Sequence, residues 1–235
     1  MKAEGQDRSS GRALRAAGER AAWGLLLLLC LACAQGSSRE QADETYLRWM
    51  AFEAPGREHV LLRWQERDMP LRIHLPAPPA DLFDDPAAIR DSVKDGVLDW
   101  TSVASSGIPR FEFVDDPGDA DIPIVWEAEP DGDWYIAHCV LDVNLFQRRF
   151  GVARILVTGR WQDRTADLHD IYATVLHEMG HALGLGGHSP WNEDIMYPSI
   201  SREASSGLSA RDRATLAALY TRPVGARMTG ARTSQ

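Results

Sequence analysis

The stretch His177-Glu178-Met179-Gly180-His181-Ala182-Leu183-Gly184-Leu185-Gly186-Gly187-His188 decides how the rest of this 235-residue chain is read. Leu168, Ile171, Tyr172, Val175, Met179 and Leu183 recur at helical spacing, and glycines at 184, 186 and 187 follow. The spacing therefore predicts a helix that begins near Asp167 and stops at Gly184. On such a helix His177 and His181 are four residues apart and project from one side. Two imidazoles placed that way can share one zinc ion. Glu178 lies beside them and can reach a water on the metal without being a ligand. The apolar seam of the helix lies away from this face, so the histidines are not needed as core filler. A glycine at 184 permits a positive φ that stops the helix and turns the chain back. His188, on the returning segment, can supply a third nitrogen. Three protein ligands and an open fourth position describe a catalytic zinc site, whereas structural sites are usually closed.

Upstream, Leu71, Ile73 and Leu75 alternate with Arg72 and His74, the period of a half-buried strand. Asp85-Pro86 reads as an N-cap and first helical residue. Ile89, Val93, Val97, Trp100 and Val103 then place a helix over about 86–103. Further strands are predicted at 111–114, 122–126, 136–141 and 153–157. Pro123 argues that the 122–126 strand is an edge or carries a bulge. Downstream, Ser209 and Asp212 form a capping-box pattern ahead of Leu216, Leu219 and Tyr220, the apolar stripe of a last helix. Strands, a helix with the polar cluster and a terminal helix point to an α+β domain. Residues 46–66, rich in aromatic and aliphatic side chains, read as a short helix and a strand packed on that domain. No internal repeat is present.

The N-terminal 34 residues are not read as fold. Arg8, Arg12, Arg15 and Arg20 precede an apolar run with five consecutive leucines, Leu25 to Leu29, which ends in Ala32-Cys33-Ala34. The run is short for a membrane span, and its end has the small-x-small form of a signal-peptidase site. Residues 1–34 are expected to be a secretory signal. An uncleaved membrane anchor and a lipoprotein acylated at Cys33 are the alternatives. The whole chain carries 25 basic and 34 acidic residues, a net charge of −9. Without residues 1–34 it carries 20 and 31, or −11. That balance argues against nucleic acid as a partner and against electrostatic docking on anionic lipid. Cleavage leaves Cys139 as the one cysteine, so no disulfide framework is expected and Cys139 reads as a small buried hydrophobe. The organisation expected is a signal at 1–34, an N-terminal extension at 35–66, a catalytic domain at 67–222 and a polar, disordered tail at 223–235.

His177 to His188, followed by Asp194-Ile195-Met196-Tyr197-Pro198, resembles the metzincin metallopeptidases and specifically the matrixins. The Met-containing turn after the zinc helix is the second family signature. Gly118-Asp119-Ala120-Asp121-Ile122 resembles the Gly-x-Ala-Asp-Ile segment that opens a matrixin strand. Leu208-Ser209 through Leu219-Tyr220 resembles the closing helix of the family. The likeness covers about residues 69–221. It implies a zincin-like α+β fold, with a twisted, mostly parallel sheet of about five strands, an active-site helix and a C-terminal helix. It also implies Met196 as a hydrophobic floor beneath the zinc, and a secreted or extracytoplasmic zinc endopeptidase acting on a protein or peptide substrate. The metal ligands would be His177, His181 and His188, with Glu178 as general base. The mature form is expected to be a monomer that does not span a membrane.

Three departures stand against the family pattern. The third histidine usually sits six residues after the second, which here is Gly187; His188 is one later, and Gly186-Gly187 can absorb the extra residue. Cys139, in Ala137-His138-Cys139, has no cysteine-switch context. The wall segment after the Met-turn, Pro-x-Tyr in matrixins, reads Pro198-Ser199-Ile200.

Two other functions stay open. One is a gluzincin-type peptidase with Glu203 as third ligand. The other is an envelope binding protein with a vestigial metal site, against which the presence of Glu178 argues, since a structural site needs no general base. Asp115, Asp116, Asp119 and Asp121 could hold a structural calcium ion, as matrixins often do, but they lack the glycine-spaced pattern of a known calcium loop. Asp131-Gly132-Asp133 reads as a turn. His138 reads as an ordinary strand residue, His74 as solvated, and His169 with Asp170 as a helix-start pair.

Overall fold

The computed structural model describes residues 45–103, 109–127, 135–161, 164–199 and 207–232. The leader, Cys30, Cys33, Asp131, Asp133, Ile200 and Glu203 lie outside the described residues.

The main sheet contains β3 (Leu71–His74), β4 (Phe111–Val114), β5 (Ile122–Trp126), β6 (Ala137–Asn144) and β7 (Arg149–Val157), in the order β4-β3-β5-β7-β6. β4, β3, β5 and β7 run parallel, and β6 closes the sheet antiparallel to β7. This is the α+β architecture with a five-stranded, mostly parallel sheet that the sequence implies. Burial alternates along β3 and along β7 from Ala153 onward. Leu71 and Ile73 are buried while Arg72 is exposed. Along β7, Phe150, Ala153, Ile155 and Val157 are buried.

One placement differs from expectation. β5 is a central strand and not an edge. Its pairing with β3 covers only Ile73–Ile122 and His74–Pro123, and its pairing with β7 begins at Ile124. Ahead of that register the Ala153 N–H of β7 already donates to the Asp121 carbonyl at 3.0 Å, so Pro123 lies within the junction with β7, and its missing N–H leaves a one-bond gap before the ladder resumes at Ile124. The antiparallel edge belongs to β6, which turns into β7 and carries a register shift between Leu141 and Val143.

Two helices pack against one another beside this sheet. α1 (Pro86–Leu98) starts at Asp85, whose carboxylate accepts the Ala88 N–H at 3.0 Å, and continues as a 3-10 turn over Asp99–Ser102. α2 (Leu168–Ala182) is the predicted zinc-site helix. Asp167 caps it in a reciprocal box with Asp170. Trp100, on the 3-10 turn, donates its indole N–H to the Leu176 carbonyl of α2 at 2.9 Å and is fully buried. α3 (Ala210–Thr221) is the last helix among the described residues, capped by Ser209 and Asp212 as read from the sequence. The seam of α2 departs from expectation at its start. Leu168 is 49% exposed, yet His177 and Glu178, on the face expected to be free of packing, are 5% and 8% exposed. From Val175 to Gly180 every residue of α2 is buried, and His181 after them is half-buried.

The extension is a small sheet of its own. A 3-10 turn at Leu47–Trp49 leads into β1 (Phe52–Ala54) and β2 (Glu58–Leu61). The third strand is β10 (Ala226–Arg227), from the tail expected to be disordered. The pairing partner, β2, lies more than 160 residues away in the chain, so local composition gave no sign of it. A two-residue hairpin, β8 (Arg160–Trp161) with β9 (Arg164–Thr165), precedes α2. Among the described residues no helix is long and apolar enough to cross a membrane.

Candidate metal centre

α2 presents His177 and His181 one turn apart, and the loop after it returns His188 to the same point. One ligating atom from each of the three lies within 4.8 Å of the others. The ring centroids form a near-equilateral triangle of 4.9, 5.3 and 5.0 Å. Two of the three rings are oriented by backbone. His177 Nδ1 lies 2.6 Å from the Ile195 carbonyl, and His181 Nδ1 lies 2.6 Å from the Leu185 carbonyl. A carbonyl only accepts, so each Nδ1 carries the proton and each Nε2 is left with a lone pair. That is the tautomer a metal-ligating histidine requires.

Electrostatics favour the same state. Burial, and then the neighbouring His181, hold His177 well below its ordinary value. Burial, and then His188, lower His181 to about 4. Burial also lowers His188. The three imidazoles are thus neutral, as ligands must be. Glu178 is pushed up to about 8 by burial, opposed by a hydrogen bond from the Cys139 backbone N–H on β6. Cys139 is half-buried and faces α2; burial, and then the charge of Glu178, raise its thiol far above the ordinary range.

The turn at Asp194–Tyr197 lies under this cluster. Met196 is fully buried, and its sulfur packs so closely against Gly180 that a Cβ there would collide with it. Gly184 is the αL stop inferred from the sequence, at φ +111°, and any side chain would also meet the Leu62 carbonyl. The turn itself hangs from two buried carboxylates. Asp194 accepts from Ser189 Oγ (2.5 Å), Ser209 Oγ (2.8 Å) and Arg211 Nε (3.1 Å). Asp212 accepts from the Ile195 N–H (2.9 Å), the Ser209 N–H (2.8 Å) and the Tyr46 hydroxyl (2.5 Å). The Tyr46 backbone N–H also donates to Thr215 Oγ1 at 3.1 Å. Sequence reading assigned Asp212 only to a cap and gave Asp194 no role. A short polar residue at N3 was the one visible signal, and it does not report burial.

The remaining candidates fall elsewhere. His138 lies on β6 with its ring 4.3 Å from that of Tyr135, and its Nδ1 is buried without a hydrogen-bond partner. His74 is not simply solvated: it is half-buried, with Nδ1 3.2 Å from the Val114 carbonyl. His169 is outside the cluster, and Asp170 is engaged with Asp167 and Arg164 at the helix start. The calcium expectation finds no support. Among the described residues the three histidines form the one group of metal-binding geometry. Asp116 caps a turn through the Gly118 N–H, and Asp121 is clamped by Arg72 through two guanidinium bonds.

No curated protein matches the chain closely. A family model does: that of the matrixins matches residues 63–221, from just before β3 to the last residue of α3. Matrixins are zinc metallopeptidases, and the triangle of neutral imidazoles fits a zinc site. With a match over two thirds of its length that contains both the zinc helix and the Met-turn, the chain belongs to the matrixin family.

Proposed function

We propose that the chain is a secreted zinc endopeptidase in which His177, His181 and His188 hold the metal and Glu178 moves the proton. The observation that carries this reading is the fixed tautomer of His177 and His181, with both Nε2 atoms free on the side where His188 arrives. Zinc bound there would supply a Lewis acid that lowers the pKa of water towards about 7, polarises a peptide carbonyl and favours the ionised form of Glu178.

The chain's own residues supply the rest. Glu178 lies between α2 and β6, where the Cys139 N–H steadies its carboxylate. A carboxyl whose pKa is raised towards neutrality can take a proton from the attacking water and return it to the departing amine. Burial around the two helical histidines excludes bulk water from one side of the site. β6 is an antiparallel edge strand, so an extended peptide can pair with its free side and lie across the cluster. Residues 1–34 act in this reading as the secretory signal.

Elemental mass spectrometry of the purified protein, with His188→Ala alongside, tests the ligand set. One zinc per chain in the parent and none in the variant is the expected result. Zinc retained in the variant overturns His188 as a ligand. No zinc in either protein after metal-replete preparation overturns the peptidase reading.

A further inference from the structure

The loop that delivers His188 is one residue longer than the family spacing, and its support comes from outside the family-matched span. Met50 and Phe52 precede residue 63, where the match begins. The Gly186 N–H donates to the Met50 carbonyl at 3.2 Å. The Phe52 ring lies directly against Gly186: a Cβ on that glycine would sit 2.7 Å from two ring carbons and 3.0 Å from the Met50 carbonyl oxygen. Phe52 is braced in turn by Phe150, edge to face at 6.0 Å, and Phe150 by Trp64 at 5.3 Å. The Trp64 indole donates to the Ala182 carbonyl at 2.8 Å, at the end of the zinc-site helix. On the far side of His188, Trp191 meets Trp49 edge to face at 5.6 Å.

We propose that the segment from Trp49 to Phe52 is part of the metal-site scaffold, and that Phe52 is a positioning residue for His188. A loop with adjacent glycines at 186 and 187 has many conformations open to it, and only some of them aim His188 at the other two imidazoles. The Phe52 ring and the Met50 carbonyl remove the others by filling the space the loop would otherwise enter. Gly186 is required on the loop side of this contact for the close approach. The same loop places the Leu185 carbonyl that orients His181, so its displacement reaches two of the three histidines. Outer-sphere groups that orient ligands typically change metal affinity by about 10- to 100-fold when removed.

The inference rests on His188 being a zinc ligand, and the experiment separates the two. Zinc affinity is measured by competition with a chromophoric chelator for the parent protein, Phe52→Ala, Phe52→Leu and Gly186→Ala. Each is also melted with and without zinc. A parent that takes up no zinc defeats the metal-site reading itself. Given a parent that binds, Phe52→Ala is expected to bind at least about tenfold more weakly and to show a smaller zinc-induced rise in Tm. Phe52→Leu, which keeps apolar bulk against the loop, is expected to recover most of the affinity. A residue that is merely structural would lower both melting curves by the same amount and leave the affinity unchanged; that result overturns the proposal. Should Phe52→Ala not fold, Gly186→Ala decides, since its methyl group must displace either the ring or the loop. Weakened zinc binding supports the scaffold role, and parent-like affinity overturns it.

Discussion

Two buried polar clusters lie within a few residues of each other around the Met-turn, and they are built on opposite rules. In the cluster around Asp194 and Asp212, each carboxylate is surrounded by donors from serine, arginine, tyrosine and backbone. Burial, and then the charge of Asp212, keep the Tyr46 phenol protonated, so it remains a donor. In the cluster of His177, His181 and Glu178, two groups are buried and His181 is half-buried, and all are incompletely used. Each of the two histidines spends one nitrogen on a carbonyl and keeps the other free, and Glu178 has its proton affinity raised by burial. A satisfied buried network holds a structure in place. A half-satisfied one costs stability and persists where something else is meant to complete it.

The contrast is sharpest at the two carboxyl groups. Glu178→Gln is expected to reduce peptide hydrolysis by about 10²- to 10⁴-fold while zinc stays bound. Its zinc-free form should melt at or above the parent near pH 8, because an amide avoids the desolvation of a carboxylate. Turnover of a fluorogenic peptide, with zinc content and a melting curve, checks all three points. Asp212→Ala should behave in the opposite way. It strands the Tyr46 hydroxyl and two backbone N–H groups in the interior and should cost about 3 kcal/mol in urea unfolding of the zinc-free protein. A Glu178 variant that lost stability, or an Asp212 variant that lost none, would erase the distinction.

The pH dependence separates the clusters more finely. The three imidazoles bind protons less readily folded than unfolded, where the ordinary value is 6.5. The unfolded chain therefore takes up more protons as pH falls below 6.5, and the zinc-free protein loses stability in that direction. Glu178 runs the other way, because its folded value of about 8 lies above its ordinary 4.5. The folded state holds a proton that the unfolded chain has released, and stability falls as pH rises towards 8. Three groups outweigh one on the acid side, so stability is expected to peak near pH 6.5 in chelator-treated protein. Glu178→Gln should flatten the alkaline limb and steepen the acid limb, because the Glu178 contribution spans the whole interval from 4.5 to about 8. Urea midpoints across pH 4.5–8.5 give the measurement. The smallest expected effect belongs to Ser209→Ala, which removes the cap and one donor to Asp194; it should cost about 1 to 2 kcal/mol and leave zinc content unchanged.

What the sequence revealed follows the range of the forces involved. Asp85 and Ser209 were readable as N-caps, and Asp167 as the start of its helix, because a cap is settled within four residues. The histidine cluster was readable because two of its members share a helix and the third follows a glycine stop. The central place of β5 was not readable, since Pro123 reports a missing donor and not whether a strand lies on that side. The burial of His177 and Glu178 was equally hidden, because helical periodicity marks the apolar face and is silent on what covers the polar one. The Asp194–Asp212 network joins Tyr46 to residues more than 160 positions later, beyond the reach of any local pattern.

The small sheet carries a consequence for how the chain is made. β2 lies between β1 and β10, and the bond from the Met228 N–H to the His59 carbonyl closes that pairing. During synthesis β1 and β2 emerge early, but one flank of β2 stays open until residues 226–228 follow. Until they emerge the hairpin presents an uncovered strand edge of the kind that recruits other chains. Residues 226–228 are the ones that seal it.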